Sequence, residues 1–394
     1  MAAQLKGLEC QAKPTFYKNV QRALSFLRHK IPRLSRQKPH RPPHSPRQAT
    51  KAGLPQQKIV VQVQPYFLHK DKRSPRSYIS SYLSRPMQVE TQLSREIFGR
   101  HVPLPEAELV LIAVPWEGGV SFRRGTALAP ELIRQVSPQI DYYRSECPAL
   151  EYAKIAYIHP SVPFSEGEAT DTIYESEVLP FVAAQVKQAL SLQKPFGIVG
   201  GDHSVPLGAH HALQETEPYG VLHIDAHADL RPSYEGLRYS HATILYHISR
   251  LPYVQRVVAV GIRDWAKEEA EYARALYPRL VVYEMRRLAQ TAFRGRPLIE
   301  TVSEIVSLLP KRVYVSIDAD ALDVGYVPHT GTPVPGGLRY EELFFLLEAI
   351  PHSGRTIIGF DVCETGGAEI DAIVAAHLIY RLCGLVLCGS ASGI

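Results

Sequence analysis

Cysteine, methionine and tryptophan are scarce in this 394-residue chain, which holds five, three and two of them. The cysteines, Cys10, Cys147, Cys363, Cys383 and Cys388, are odd in number and never in CxxC spacing. That argues against a disulfide framework, against a thiolate zinc site, and for a reducing compartment in which the thiols are small buried groups. No apolar run reaches the roughly 18 residues that a membrane span requires, and no secretory hydrophobic region follows the start. The expectation is therefore a cytoplasmic protein with no membrane partner. Acidic groups are nearly missing from one end: residues 1–80 hold 17 Lys or Arg against Glu9 and Asp71, a balance of +15. Because the whole chain carries +5, the remainder carries −10.

This asymmetry sets the main boundary, between a basic, Pro-rich extension (1–80) and a folded domain (81–394). Residues 32–57 are rich in Pro, Gln, Arg and Ser, bury too little apolar surface to fold, and are expected to be disordered. Ahead of them Phe16, Val20, Leu24, Leu27 and Ile31 recur at helical spacing among Lys18, Arg22, Arg28 and Lys30. Such a segment suits an anionic surface or an organelle transit peptide, and equally a solvated tail with no role in chemistry. Aromatic residues are not interleaved with its charges and no nucleic-acid module is present, so nucleic acid is not an expected partner.

With 45% hydrophobic residues the chain can build a sizeable core. Short apolar runs at Leu109–Val114, Ile155–Ile158, Phe196–Val199, Val221–Ile224, Val257–Val260, Leu280–Tyr283, Val313–Ile317 and Thr356–Phe360 read as strands buried on both faces. Helical stretches lie between them, including Glu175–Leu192, Lys267–Leu276, Pro297–Leu309 and Tyr340–Ala349. The alternation predicts an α/β fold, a three-layer α/β/α domain with a central parallel sheet of about eight strands.

Three of these strands run directly into polar clusters: Gly-Gly-Asp-His-Ser (Gly200–Ser204), Asp-Ala-His-Ala-Asp (Asp225–Asp229) and Asp-Ala-Asp (Asp318–Asp320). Residues two apart on a strand project to one side, so Asp225 and His227 can converge, as can Asp318 and Asp320. Asp229 joins them only if the chain turns there. Any one of these motifs is common in ordinary loops. Together, so many Asp and His side chains placed just after buried strands are costly to desolvate unless paired or metal-bound. Carboxylates with two imidazoles favour manganese or a similar first-row ion over zinc held by thiolates.

These segments, with Ser316-Ile-Asp-Ala-Asp-Ala-Leu-Asp323 running to Gly331-Thr-Pro-Val-Pro-Gly-Gly337, resemble the three signatures of the ureohydrolases, the arginase and agmatinase family. The resemblance begins at about Leu109, includes the glycine-rich segment Val114–Gly125, and extends to the C-terminus. It implies an arginase-like fold, a homo-oligomer (trimer or hexamer), and two divalent ions, Mn²⁺ with Ni²⁺ as the alternative. His203, Asp225, Asp229 and Asp318 would hold one ion, and Asp225, His227, Asp318 and Asp320 the other. His241, Glu364 and Asp229 would be catalytic; Glu364, Thr332 and His241 would contact the substrate. The implied reaction is hydrolysis of a small guanidino compound to urea and an amine. Asp323 and Asp202 read as structural support. Arg263 reads as the partner of an acidic group near the site or of a neighbouring carboxylate.

The Ser-Gly-Asn pattern by which arginases recognise arginine is absent from the loop Leu230–Ser240, which resembles the agmatinase branch instead. Agmatine, cleaved to putrescine, is therefore the leading substrate. Arg231 and Arg238 would also suit the acidic tail of guanidinobutyrate. Guanidinopropionate, guanidine, arginine and formimino compounds stay open, as does a non-catalytic metal-binding role. Three departures from the family pattern bear on this: Val324 after Asp323, His329 in place of a small residue, and Thr365-Gly-Gly367 in a loop about four residues shorter than usual.

Overall fold

The structure is a computed structural model that describes residues 96–167 and 170–389. The expectations for the basic extension, residues 1–80, lie outside the described residues.

Eight strands are present: β1 (Leu109–Val114), β2 (Ile155–Ile158), β3 (Phe196–Gly200), β4 (Tyr219–Ile224), β5 (Val254–Ile262), β6 (Leu280–Glu284), β7 (Arg312–Asp318) and β8 (Thr356–Cys363). They form one sheet in the order β2-β1-β3-β8-β7-β4-β5-β6. Every neighbouring pair is parallel. Leu109 and Leu111 of β1 enter one core, whereas Val110, Ile112 and Val114 enter the other. This is the alternation expected of a strand buried on both faces, where a continuous apolar run serves two layers of helices.

The order of filling creates the crevice. β4 enters three places beyond β3, and the two-strand gap is closed late in the chain by β7 and β8. The carboxyl ends of β3, β8, β7 and β4 thus stand side by side, the place where open parallel sheets bind ligands. β3, β7 and β8 each run further than their apolar segments, to Gly200, Asp318 and Cys363.

The four expected helices are present as Leu179–Ser191, Lys267–Ala275, Leu298–Ser307 and Tyr340–His352, the first entered through a π turn at Tyr174–Val178. The described residues hold six further α-helices that were not anticipated: Ala129–Val136, Thr170–Ile173, Leu207–Leu213, Ile244–Ser249, Met285–Phe293 and Glu369–Cys388. The last corrects one expectation, because its 20 residues reach a hydropathy of 1.8 and meet the length and composition of a membrane span. Here Ala372, Ala375, Ala376, Ile379 and Cys383 are core residues. Its Arg381 pairs with Glu146, Glu341 and Glu348 at 3.2–3.5 Å.

The reading of all five cysteines as unpaired is also corrected. Cys147 and Cys388, separated by 241 residues, form a disulfide with their Cα atoms 6.1 Å apart. The end of the long helix brings Cys388 to the segment carrying Cys147. Cys363 and Cys383 are buried free thiols, as expected.

Candidate metal centre

Each polar cluster stands where a central strand ends, and local backbone features aim it into the crevice. After β3 the chain must pass Trp116: a Cβ on Gly201 would sit 1.9 Å from the Trp116 carbonyl oxygen, so this approach admits only glycine. The next residue, Asp202, donates its N–H to that carbonyl at 2.8 Å, and its carboxylate accepts from Gly119 N (2.8 Å) and Ser204 N (3.0 Å). Asp202 therefore ties the glycine-rich loop to the end of β3, the supporting part expected of it.

After β4 the chain does turn at Asp229, whose φ is +50°, a left-handed conformation that a non-glycine residue adopts only when the surroundings enforce it. The turn points the Asp229 carboxylate back toward His203. His203 Nδ1 lies 3.1 Å from Asp225 Oδ2, 3.2 Å from Asp318 Oδ2 and 3.5 Å from Asp229 Oδ2. His227 Nδ1 lies 3.0 Å from Asp320 Oδ2 and 3.7 Å from Asp225 Oδ1. All six residues expected as ligands thus converge, and all but His227 are buried.

Donor atoms gather in two main groups: His203, His223, Asp225 and Asp229 in one, and Asp225, His227 and Asp320 in the other. Asp225 belongs to both. A third overlapping group joins His203 to Asp361 and Cys363.

Electrostatically the groups are under-compensated. Burial, and then the charges of Asp320 and Asp225, raise the Asp318 carboxyl well above its usual range. Burial and Asp225 do the same to Asp229. Burial opposes ionisation of Asp225 too, but bonds from His203, His223 and His227 overcome it and hold the group well below the usual range. His203 and His227 are shifted up, since their carboxylate partners outweigh the burial that opposes their charge. A crowd of buried carboxylates with mutually raised pKa values, interleaved with imidazoles, is a donor set that divalent cations fit.

Because those protons must leave when a cation enters, pH has a computable sign here. Unfolded His and carboxyl groups release their protons near pH 6.5 and 4, respectively. In the metal-free folded protein the raised His203, His227, Asp229 and Asp318 keep theirs to higher pH. The folded state then binds more protons than the unfolded one, and stability falls as pH rises. Asp225 has the opposite sign, but its window lies below the ordinary carboxyl value of 3.8. Metal-free protein is therefore expected to melt at a lower temperature at pH 8 than at pH 6, and the rise in Tm on adding Mn²⁺ to be larger at pH 8. Melting curves with and without Mn²⁺ at both pH values check this; an increment that shrinks with pH would remove these groups from the metal centre.

Glu364 closes the centre from β8. Its φ is +57°, its N–H donates to Gly201 O at 2.8 Å, and its Oε1 accepts from His203 N at 3.0 Å. Among the described residues Oε2 is buried without a partner. Burial and nearby Asp202 raise its pKa to about 8. His241 Nδ1 is 3.6 Å from Glu364 Oε1, and Nε2 is 3.0 Å from Ser121 Oγ. Burial, then the neighbouring His227, lower the His241 pKa to about 4, so its imidazole is neutral. His241, Asp229 and Thr332 border a cleft of about 340 Å³ that opens from the centre to solvent.

Two expectations for this region change. Among the described residues Arg263 pairs with no carboxylate: Nη2 donates to the carbonyls of Asp320 (2.6 Å) and Val334 (3.0 Å), and so braces the loop after β7. Arg238 turns away to Glu175, at 2.6 Å, leaving Arg231 as the cation of that loop on the cleft. Asp323 caps its own turn by accepting from Gly325 N at 3.0 Å, as a structural residue does.

Sequence reasoning missed His223, Asp361 and the bonding role of Ser316. His203 Nε2 is 3.0 Å from Ser316 Oγ, which donates to Asp361 Oδ1 at 3.1 Å. This relay fixes the ring whose other nitrogen faces the carboxylates. His223 stacks on His203 at 5.1 Å and places Nε2 3.1 Å from Asp225 Oδ2. The signal available was a charged or imidazole residue inside an otherwise apolar strand, two positions before Asp225 for His223.

The model of the arginase family matches residues 107–384. The chain belongs to the arginase family. Among curated relatives, an N(1)-aminopropylagmatine ureohydrolase of Thermus thermophilus is 35% identical over 74% of this chain and 94% of its own length. An agmatinase of Bacillus anthracis is 31% identical over 71% and 90%. Among solved structures, proclavaminate amidino hydrolase from Streptomyces clavuligerus superposes with a TM-score of 0.62 at 25% identity, covering 75% of this chain and 95% of that one. An arginase-family ureohydrolase with a buried His/Asp metal site is thus established.

Proposed function

We propose that the chain hydrolyses a guanidino compound to urea and an amine, with agmatine, cleaved to 1,4-diaminobutane, as the substrate that fits best. The observation that carries this reading is Glu364: a buried carboxylate set against His203 and His241 that, among the described residues, leaves Oε2 without a partner. A guanidinium ion offers paired N–H donors that a two-oxygen acceptor receives side by side. The named relatives that cleave agmatine or its aminopropyl derivative support the same substrate class.

His203, Asp225, Asp229, Asp318, His227 and Asp320 would hold two divalent ions, manganese or nickel. Bound there, the ions supply a water of lowered pKa beside the planar guanidinium carbon. In the hydrolysis that carbon gains oxygen, its bond to the substituted nitrogen breaks, and that nitrogen leaves with a proton. Glu364 holds the guanidinium in place, with Thr332 on the cleft wall. Asp229, turned inward by its left-handed backbone, keeps a carboxylate facing His203 on the cleft side. His241, neutral at rest, takes up a proton at Nδ1 and returns it to the leaving amine, with Ser121 fixing its other nitrogen.

The test is release of urea by the full chain, loaded with Mn²⁺ and then Ni²⁺, from agmatine, arginine, 4-guanidinobutyrate, 3-guanidinopropionate and guanidine. Agmatine is expected to turn over best. Formamide from a formimino compound would move the reaction to that bond, and silence across the panel with two ions bound would overturn the reading.

A further inference from the structure

Beyond His241 the cleft runs between two walls. One is the loop after β4, with Arg231 and Tyr234; the other is the end of β5, with Asp264 and Trp265. These walls meet whatever the guanidinium carries, so their charge decides which tail enters.

The charges do not balance. Arg231 Nε is 3.6 Å from Glu269 Oε2, and the guanidinium lies 4.7 Å from the centre of the Tyr234 ring. Glu269 is buried and already accepts from Leu230 N (3.0 Å) and Ala266 N (2.7 Å). Glu269 stands on the helix that follows β5, so Arg231 and Glu269 neutralise one another between the two walls. Asp264, just after β5 on the same cleft, is exposed, and among the described residues its carboxylate has neither a hydrogen bond nor an ion pair.

The backbone places that carboxylate. Asp264 is bridged in parallel to His227, with its N–H on Ala226 O at 3.1 Å. Residues paired across parallel strands stand about 4.8 Å apart and project to the same side. Asp264 is thus one strand spacing outward from His227, on the same cleft. Trp265, half-buried next to it, adds an aromatic surface of the kind that attracts ammonium groups.

We propose that Asp264, with Trp265 beside it, receives the ammonium tail of the substrate and makes the site selective for guanidines with a cationic tail over those with a neutral or acidic one. This rests on the hydrolytic reading above, so the experiment separates the two. Binding of 1,4-diaminobutane and of 4-aminobutyrate to the full chain loaded with Mn²⁺ is measured by calorimetry for the wild type, Asp264→Asn and Asp264→Lys. Melting temperatures check that both variants fold. The Asn variant is expected to bind the diamine about fivefold more weakly, as for a partly exposed charge pair. The Lys variant is expected to lose about fiftyfold or more and to prefer 4-aminobutyrate, because like charges now meet. Diamine binding that is unchanged in both variants, or absent in the wild type, overturns the proposal. Urea release from agmatine and 4-guanidinobutyrate by the same proteins is read in parallel. Turnover with indiscriminate variants sinks the tail receptor and leaves the reaction standing; discriminating binding with no turnover does the reverse.

Discussion

Asp225→Asn is expected to lower kcat/KM for urea release at least about a thousandfold, equivalent to about 4 kcal/mol of transition-state stabilisation, and to empty the metal centre. The reason is position. Oδ2 of Asp225 lies 3.1 Å from both His203 Nδ1 and His223 Nε2, while Oδ1 lies 3.7 Å from His227 Nδ1 and accepts from the His227 backbone N–H at 2.6 Å. One carboxylate therefore touches all three imidazoles and is shared by both main donor groups. Asn preserves the shape but replaces one oxygen with an N–H₂ group that cannot ligate a cation. Elemental analysis of the purified variant beside the urea assay decides the matter. A variant that keeps two ions per chain and near-normal turnover would show that Asp225 is not the bridge between them.

What the sequence made legible follows from what each feature depends on. The strands were readable because burial on both faces demands uninterrupted apolar residues, and that demand is local. So was the need for a turn at Asp229, since an extended chain would carry it about 13 Å past Asp225 and out of reach of the cluster. The helix Glu369–Cys388 was not readable, because it is apolar almost all round and lacks the periodic stripe of a surface helix. His223 and Asp361 escaped notice because a polar residue inside a buried strand has meaning only once its cross-strand neighbours are known. Arg263 found carbonyls instead of carboxylates, a partner class that carries no side-chain signal at all. The pairing of Cys147 with Cys388 and the bridge between His227 and Asp264 depend on register and topology, which spacing along the chain does not encode.

The departures around Glu364 become one unit in three dimensions, and that unit frames the second large effect. His329 pairs with Asp371 at 3.2 Å, tying the loop after β7 to the start of the helix Glu369–Cys388. A Cβ on Gly366 would fall 2.2 Å from Asp371 Oδ2 and 2.3 Å from His329 O, and one on Gly367 3.0 Å from Gly125 O. The short Thr365-Gly-Gly367 segment requires glycine at 366 and is tight at 367, and it closes against the His329–Asp371 pair on one side and the glycine-rich loop on the other. Glu364 is thereby held in its left-handed conformation with Oε2 free, preorganised for a cation. Glu364→Gln keeps the size and can still accept from His203 N through its carbonyl oxygen. It presents an N–H₂ donor where the free oxygen stood, so donor would face donor when a guanidinium arrives. The expected loss in kcat/KM is about a hundredfold to a thousandfold, as when one partner of a buried charged pair is removed. Unlike Asp225→Asn, this variant should retain its metal and its melting temperature. Steady-state kinetics with agmatine, read beside metal content, test both halves: turnover within about threefold of wild type would place the guanidinium elsewhere, and loss of metal would make Glu364 part of the ion site itself.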